Sequence, residues 1–258
     1  MELNLELGWI FAVAINMKII FLFCIAFYAQ VCFAGQFNSR TSSMSYLFHF
    51  NENSGTAPRN ARNQNNGTFT GTPVWVSGLY RSALSFTGTD NYVSLTNADM
   101  PQGNNARTYL FLVLYAAAPT AGNYLMAVPN GGGSNLTIGA LGGPPFYLDV
   151  NLNGAWQAYG GPITAKRWMG AAFRYEAPIG TFFVVSGTTT FISSKDLTSL
   201  TTASQGSFVI GNNGDGGATA SCGCTMDEVM IVNRAMSDAE IISHLRNALY
   251  PTASIFNP

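Results

Sequence analysis

The sequence predicts an all-β jelly-roll sandwich of two antiparallel sheets, closed by a short C-terminal helix. Three observations carry this. Short apolar stretches bounded by Gly, Pro or Asn recur at even spacing. Glycine is abundant, at 27 of 258 residues, and Thr, Ser and Asn fill the gaps between apolar runs, as in many strands joined by turns. Only "RAMSDAEIISHLRNAL" carries a convincing helical period.

The first 34 residues stand apart. From Met17 the chain reads Lys18, an apolar run from Ile19 to Ala29, and small residues near Ala34. That is the order of a secretory signal, with cleavage expected between Ala34 and Gly35. The preceding "MELNLELGWIFAVAIN" is acidic, which favours Met17 as the true start. A rival reading is an uncleaved anchor from Trp9 to Ala34, since about 20 apolar residues span a bilayer. Asn16, Lys18 and Gln30 interrupt that run. The chain is therefore expected to be secreted (extracellular, periplasmic or on the cell surface). It would meet a membrane only if segment 1–34 stays attached. A polar lead over 35–44, one domain over 45–250 and a tail over 251–258 complete the division.

The elements follow in order. "SYLFHFNENSG" alternates, with Tyr46, Phe48 and Phe50 on one face and Leu47 and His49 on the other. "ALSFTGTDNYVSL" reads as a strand, a turn at Asp90 and Asn91, and a return strand. "TYLFLVLYAA" is almost continuously apolar, as a central strand covered on both faces should be. "NLTIGAL", "PFYLDVNLNG", "WMGAAFRYE", "GTFFVVSGT", "GSFVIGNNG" and "TMDEVMIVN" supply further strands. In the helix, Ser237 with Glu240 three residues on forms a capping box ahead of Ile241, Leu245 and Leu249. Asp238 and Glu240 suit the positive end of the helix dipole, and Arg246 suits the other.

Charged residues make up 10% of the chain and the net charge is -1, which argues against nucleic acid as a partner. Cys24 and Cys32 leave with the signal. Cys222 and Cys224, in "CGC", are read either as two small buried thiols or as a strained, redox-labile bond across Gly223. In an extended strand their spacing is awkward for a disulfide.

The order of these pieces resembles the laminin-G-like branch of the concanavalin A-like lectin/glucanase superfamily. The matching stretches are "SYLFHFNENSGT", "NGTFTGTPVWVSGLYRSALSFTGTDNYVSL", "WMGAAFRYEAPIGTFFVVSGT", "SFVIGNN" and "MDEVMIVNRAMSDAEI". The resemblance implies a concanavalin A-like jelly roll over nearly all of the mature chain. There are departures. Phe111 and Tyr115 stand in a strand where members usually carry a Trp, and Ser186 stands where many have Asn.

Catalysis finds little support in the sequence. A glycosidase of this superfamily needs two carboxylates facing each other across the sugar, and neither Glu-x-Asp-x-Glu nor Glu-x-Asp-x-x-Glu occurs. His49 and His244 lie outside any nucleophile motif, and Gly-x-Ser-x-Gly is absent. The chain is expected not to be an enzyme.

The resemblance also implies one structural Ca2+ on Asp227, helped by the turn near Glu52 and Asn53. The alternative is that Asp227 caps loop amides without metal. Strand alternation puts Glu228 on the opposite face from Asp227, towards solvent or a neighbouring loop. Asp90 and Asn91 suit a tight bend for local hydrogen-bonding reasons.

Sugar binding needs aromatic faces and polar groups on loops or an open sheet face. Trp75 and Trp168 read as packing residues, and Tyr80 and Tyr92 are further candidates. "YLDVNLNGAWQAYGG" is the favoured patch. There Trp156 and Tyr159 stand beside Asp149, Asn151 and Gln157. Asn66-Gly67-Thr68 and Asn135-Leu136-Thr137 fit the N-glycosylation pattern, which matters only in a eukaryotic host. The expected function is a non-catalytic recognition module for a glycan or a cell-surface glycoprotein. The runner-up is a structural or adhesive sandwich that binds proteins. A divergent glycosidase comes third.

Overall fold

The computed structural model describes residues 36–251, apart from 39–40, 63–64, 89, 97–98, 102, 120–121, 130–133, 142–146, 153–154, 198–206 and 214–220. The expected signal segment lies outside the described residues, as do residues 252–258 of the tail.

The strands are β1 (Met44–Phe48), β2 (Thr68–Thr70), β3 (Val74–Ser77), β4 (Ser82–Phe86), β5 (Tyr92–Thr96), β6 (Arg107–Leu114), β7 (Asn123–Pro129) and β8 (Ser134–Leu141). They continue with β9 (Tyr147–Leu152), β10 (Ala155–Pro162), β11 (Met169–Glu176), β12 (Ile179–Ser186), β13 (Thr189–Asp196), β14 (Ser207–Ile210) and β15 (Cys224–Val232). The helix α1 spans Asp238–Leu249. An eight-stranded sheet runs β13-β12-β11-β6-β15-β4-β3, with β1 also on β15. β4 pairs with the first part of β15 and β1 with the last part, end to end along one edge. A seven-stranded sheet runs β10-β9-β8-β7-β14-β5-β2.

Alternation explains the layers. Tyr46, Phe48 and Phe50 enter the core between the sheets, and Leu47 enters a second core on the outer side. β6 is buried on both faces as expected: Tyr109, Phe111 and Val113 point inward, Leu110 and Leu112 outward. Tyr109 stacks on Phe173 of its own sheet at 6.4 Å and on Phe208 of the other sheet at 5.6 Å, tying the two together. Each such buried side chain contributes roughly 1.5–3 kcal/mol.

The outer core lies under α1, which buries Ile241, Leu245, Ala248 and Leu249. Gly170 of β11 permits this approach, because a Cβ there would lie 3.2 Å from that of Leu245. The capping box forms as predicted. Ser237 Oγ accepts from the Glu240 amide at 3.3 Å, and Glu240 Oε2 accepts from the Ser237 amide at 3.0 Å. Arg234 Nη2 also reaches Glu240 Oε1 at 2.6 Å. That arginine is the first reason the Glu240 carboxyl sits low, at about 2.

One expectation needs correcting. β4 and β5 do not form a hairpin: β4 pairs with β15 in one sheet, β5 with β14 and β2 in the other. Their connection arches across the sandwich, helped by positive φ at Gly88 and Asp90. Phe86 and Val93 both enter the shared core. Of the two readings of "CGC", the disulfide is the one that forms: Cys222 and Cys224 are bonded, with Cα atoms 5.1 Å apart. Gly223 has φ +56, so the chain is not extended there and the spacing argument against a bond fails. Both cysteines are buried.

Candidate functional site

β15 carries the acidic pair of "DEVMIVN". Its register on β6 slips between Asp227 and Met230. Asp227 faces Leu112 and Met230 faces Leu110, so Glu228 and Val229 together oppose one residue. This is a bulge, with Glu228 at φ 50. Met226 and Val229 both enter the inner core. Asp227 and Glu228 thus lie together on the outer side. The expectation that strand alternation separates them is wrong, because the extra residue breaks the period. Glu228 does not face solvent either: both acids are fully buried.

Each acid has its own partners. Asp227 Oδ1 accepts from the Glu228 amide at 2.9 Å, and Oδ2 from the amides of Leu79 at 3.2 Å and Tyr80 at 3.5 Å. Burial, then the Glu228 charge, pushes its carboxyl up to about 8, against the pull of the three amides. Glu228 lies 2.8 Å from His49 Nδ1 and accepts from the Phe37 amide at 2.8 Å. Burial raises its pKa as well, opposed by the His49 hydrogen bond. The Glu228–His49 pair joins residues 179 apart. Sequence reasoning missed it because nothing local marks the bulge.

Calcium takes six to eight oxygen ligands. The Asp227 carboxylate instead meets N–H donors at both oxygens, which repel a cation. Its surroundings fit a carboxylate that caps the 78–80 turn and do not fit a calcium ligand. The turn at Glu52 is different. Glu52 Oε1 accepts from the Arg59 amide at 2.8 Å. Glu52 Oε2 and the neighbouring Asn51 Oδ1 are buried acceptors without a hydrogen-bond donor. Two orphaned oxygens of this kind fit a hard cation. The Asn53 amide is already taken by Ser82 Oγ at 3.0 Å. Among the described residues no group of three or more His, Cys, Asp or Glu is placed to hold a metal.

The favoured sugar patch falls on β9 and β10, at one edge of the seven-stranded sheet. Register sets Trp156 opposite Asn151 and Tyr159 opposite Asp149, with Gln157 at a slip between them. The side chains of Trp156, Gln157 and Tyr159 lie outside the described residues. Leu148 and Val150 enter the inter-sheet core, so Asp149 and Asn151 face the other way. Thr137 of β8 pairs with Asn151 and faces out with it. All three are buried, Asp149 at 1% exposure and Asn151 at 9%. Asp149 Oδ1 accepts from the Val150 amide at 2.7 Å. Among the described residues Asp149 is the only acid in the strands of this sheet.

Four further candidates have structural tasks. Asn91 Oδ1 accepts from the Thr72 amide at 2.7 Å, fastening the arch. Trp75 packs beside Phe69 and donates to the Gly55 carbonyl at 3.0 Å. Trp168 packs against the outer core. The Tyr80 hydroxyl donates to the Ala248 carbonyl, tying the 78–80 turn to the helix. Burial lifts its pKa to about 12. Asn66 is exposed, whereas Thr137 of the second glycosylation sequon is buried.

Comparison with known proteins adds the following. Among solved structures the chain is similar to domain 4 of AbnA, an extracellular arabinanase from Geobacillus stearothermophilus, in complex with arabinotriose. The TM-score is 0.58 at 16% identity, covering 79% of this chain and 98% of that one. A Trypanosoma rangeli sialidase mutant displaying trans-sialidase activity gives a TM-score of 0.60 at 14% identity, covering 81% of this chain and 34% of that one. Tailspike protein 2 of bacteriophage CBA120 gives 0.54 at 15% identity, covering 72% and 31%. The chain thus spans about a third of the sialidase and tailspike chains. At these identities the likeness shows the fold alone. No match was found among curated protein sequences. The Laminin_G_3 family model, described as the concanavalin A-like lectin/glucanases superfamily, matches residues 87–242, and the chain belongs to that family.

Proposed function

We propose that the protein is a secreted, non-catalytic module that binds glycans, free or on a glycoprotein, through the outer face of the seven-stranded sheet at β9 and β10. One observation carries this reading. The register brings Trp156 and Tyr159 opposite Asn151 and Asp149 in a single two-strand patch. Aromatic residues at a sheet edge suit stacking on sugar rings, and the buried Asp149 and Asn151 back the patch from within. Hydrolysis by the usual route asks for two carboxylates across the sugar, and the strands of this sheet hold one. The likeness to an arabinanase domain captured with arabinotriose supports sugar binding as the kind of activity to test. A structural Ca2+ on Glu52 and Asn51 would stiffen the turn after β1 without taking part in chemistry.

An adhesive role without sugar has one observation in its favour. The β12–β13 hairpin, at an edge of the larger sheet, exposes Ile179, Phe191 and Ile192. Exposed apolar residues on an edge strand suit protein contact. A glycan array run on the mature chain and on Trp156→Ala separates the readings. Glycan binding that Trp156→Ala abolishes supports the sugar site. A blank array with wild-type protein supports the adhesive role.

A further inference from the structure

The loop between β10 and β11 brings Arg167 to the tip of the β12–β13 hairpin. That tip is a two-residue turn, Gly187–Thr188, closed by the Ser186–Thr189 pair. Gly187 has φ +62, and a Cβ there would lie 2.9 Å from Arg167 Nη2 and 3.1 Å from Nη1. The guanidinium therefore lies against the turn backbone, a position that glycine alone leaves open. The end of α1 supplies the other wall. Arg246 Nη2 donates to Thr190 Oγ1 at 3.0 Å, and Tyr250, 42% exposed as a residue, follows one turn later. The result is a cavity of about 340 Å³ lined by Arg167, Ser186, Gly187, Thr188, Thr189 and Tyr250. That volume lies at the small end of ligand sites.

The chemistry of this cavity is one-sided. No acid lines it. Among the described residues neither Arg167 nor Arg246 has an acidic partner, whereas Arg174 and Arg234 pair with Asp238 and Glu240. Arg167 makes no hydrogen bond to a described residue, so its fork of donors is free. A planar fork beside hydroxyls and one aromatic ring matches a carboxylate on a polyhydroxylated ring. We propose that this cavity is a second site, one that binds a carboxylated sugar of the hexuronic or sialic acid class. Arg167 takes the carboxylate, Arg246 adds charge at the rim, Ser186, Thr188 and Thr189 meet ring hydroxyls, and Tyr250 covers one face. The site is separate from the β9–β10 patch. Trp156 lies six residues before the end of β10, roughly 20 Å along the strand.

Amide chemical shifts of the full mature chain test this, with sodium glucuronate, N-acetylneuraminate, glucose and inorganic sulfate as probes. Shifts at Gly187, Thr188 and Thr189 should saturate with at least one sugar acid and stay unmoved by glucose. Arg167→Ala should weaken that binding fivefold or more. Arg167→Lys should recover only part of it, because the ammonium keeps the charge and loses the fork. Trp156→Ala should leave these shifts intact, which keeps this site distinct from the proposed glycan patch. Equal response to glucose, or unchanged affinity in Arg167→Ala, overturns the proposal. Sulfate binding as tightly as either sugar acid overturns its sugar part.

Discussion

Asp227 and Glu228 are neighbours in sequence and share one side of β15, both fully buried, because a bulge inserts an extra residue between Asp227 and Met230. Each acid then fastens a different piece of chain to the same strand. Asp227 holds the 78–80 turn through two amides. Glu228 holds His49, just after β1, and Phe37 in the polar lead. The two carboxylates that most resemble a catalytic pair in the sequence are hubs of the larger sheet.

The first prediction concerns pH. Asp227 is raised in the folded chain from an ordinary carboxylate value to about 8. Between about pH 4 and pH 8 the folded state therefore holds more protons than the unfolded state, and stability falls as pH rises through this window. Glu228 is raised too and adds in the same direction. Denaturant midpoints measured from pH 5 to pH 8 should decline. Asp227→Asn should flatten the decline while lowering stability at pH 5, where an amide replaces an acceptor of three N–H groups.

The second prediction concerns the buried pair. Removing the imidazole leaves Glu228 with the Phe37 amide and the Gln36 side chain, and takes away the His49 hydrogen bond. His49→Ala should cost about 3–5 kcal/mol near neutral pH. The double variant His49→Ala with Glu228→Gln should recover part of that loss in urea denaturation. A loss below about 1 kcal/mol in the single variant would mean that the pair is not what holds β1 to the bulge.

The helix start gives a third. Glu240→Gln weakens the ion pair to Arg234 while keeping a hydrogen-bonding group at the box position, and Ser237→Ala removes the cap. Ser237→Ala should cost about 0.5–2 kcal/mol, read as a drop in melting temperature, and Glu240→Gln should cost less. Glu240 sits near 2, so its stabilising contribution holds above ordinary carboxylate values and fades as pH falls towards 2.

Calcium supplies a fourth. EGTA-treated protein titrated with CaCl₂ should show binding heat and a rise in melting temperature. Glu52→Gln should remove both, and Asp227→Asn should leave both in place. A calcium response that survives Glu52→Gln and vanishes in Asp227→Asn would return the ion to Asp227.

How much of this was legible in the sequence follows from range. Local patterns read well. The alternation of "SYLFHF", the two-faced burial of "TYLFLVLY" and the capping box of "SDAE" each depend on residues within a few positions, and each appears as expected. Features set by backbone exceptions did not read. Glu228 at positive φ turns the acidic pair onto one side, and Gly223 at positive φ decides between the two readings of "CGC" in favour of the disulfide. The strands around Asp90 looked like a hairpin because a turn sequence does not say which sheet the next strand joins. At the proposed glycan patch the nearness of Asp149 and Asn151 to Trp156 and Tyr159 was legible from a short hairpin spacing, whereas the burial of Asp149 depends on tertiary cover. The Arg167 cavity joins a loop, a hairpin tip and the end of α1, distant in sequence, and no motif marks it.

Non-catalytic glycan recognition is proposed at β9–β10. Its most direct test is a glycan array, with and without calcium, on wild type and Trp156→Ala, followed by product analysis of every glycan bound. Recognition without catalysis predicts binding that Trp156→Ala abolishes, with each bound glycan recovered intact. Binding unchanged by Trp156→Ala, or a glycan recovered cleaved, would contradict it.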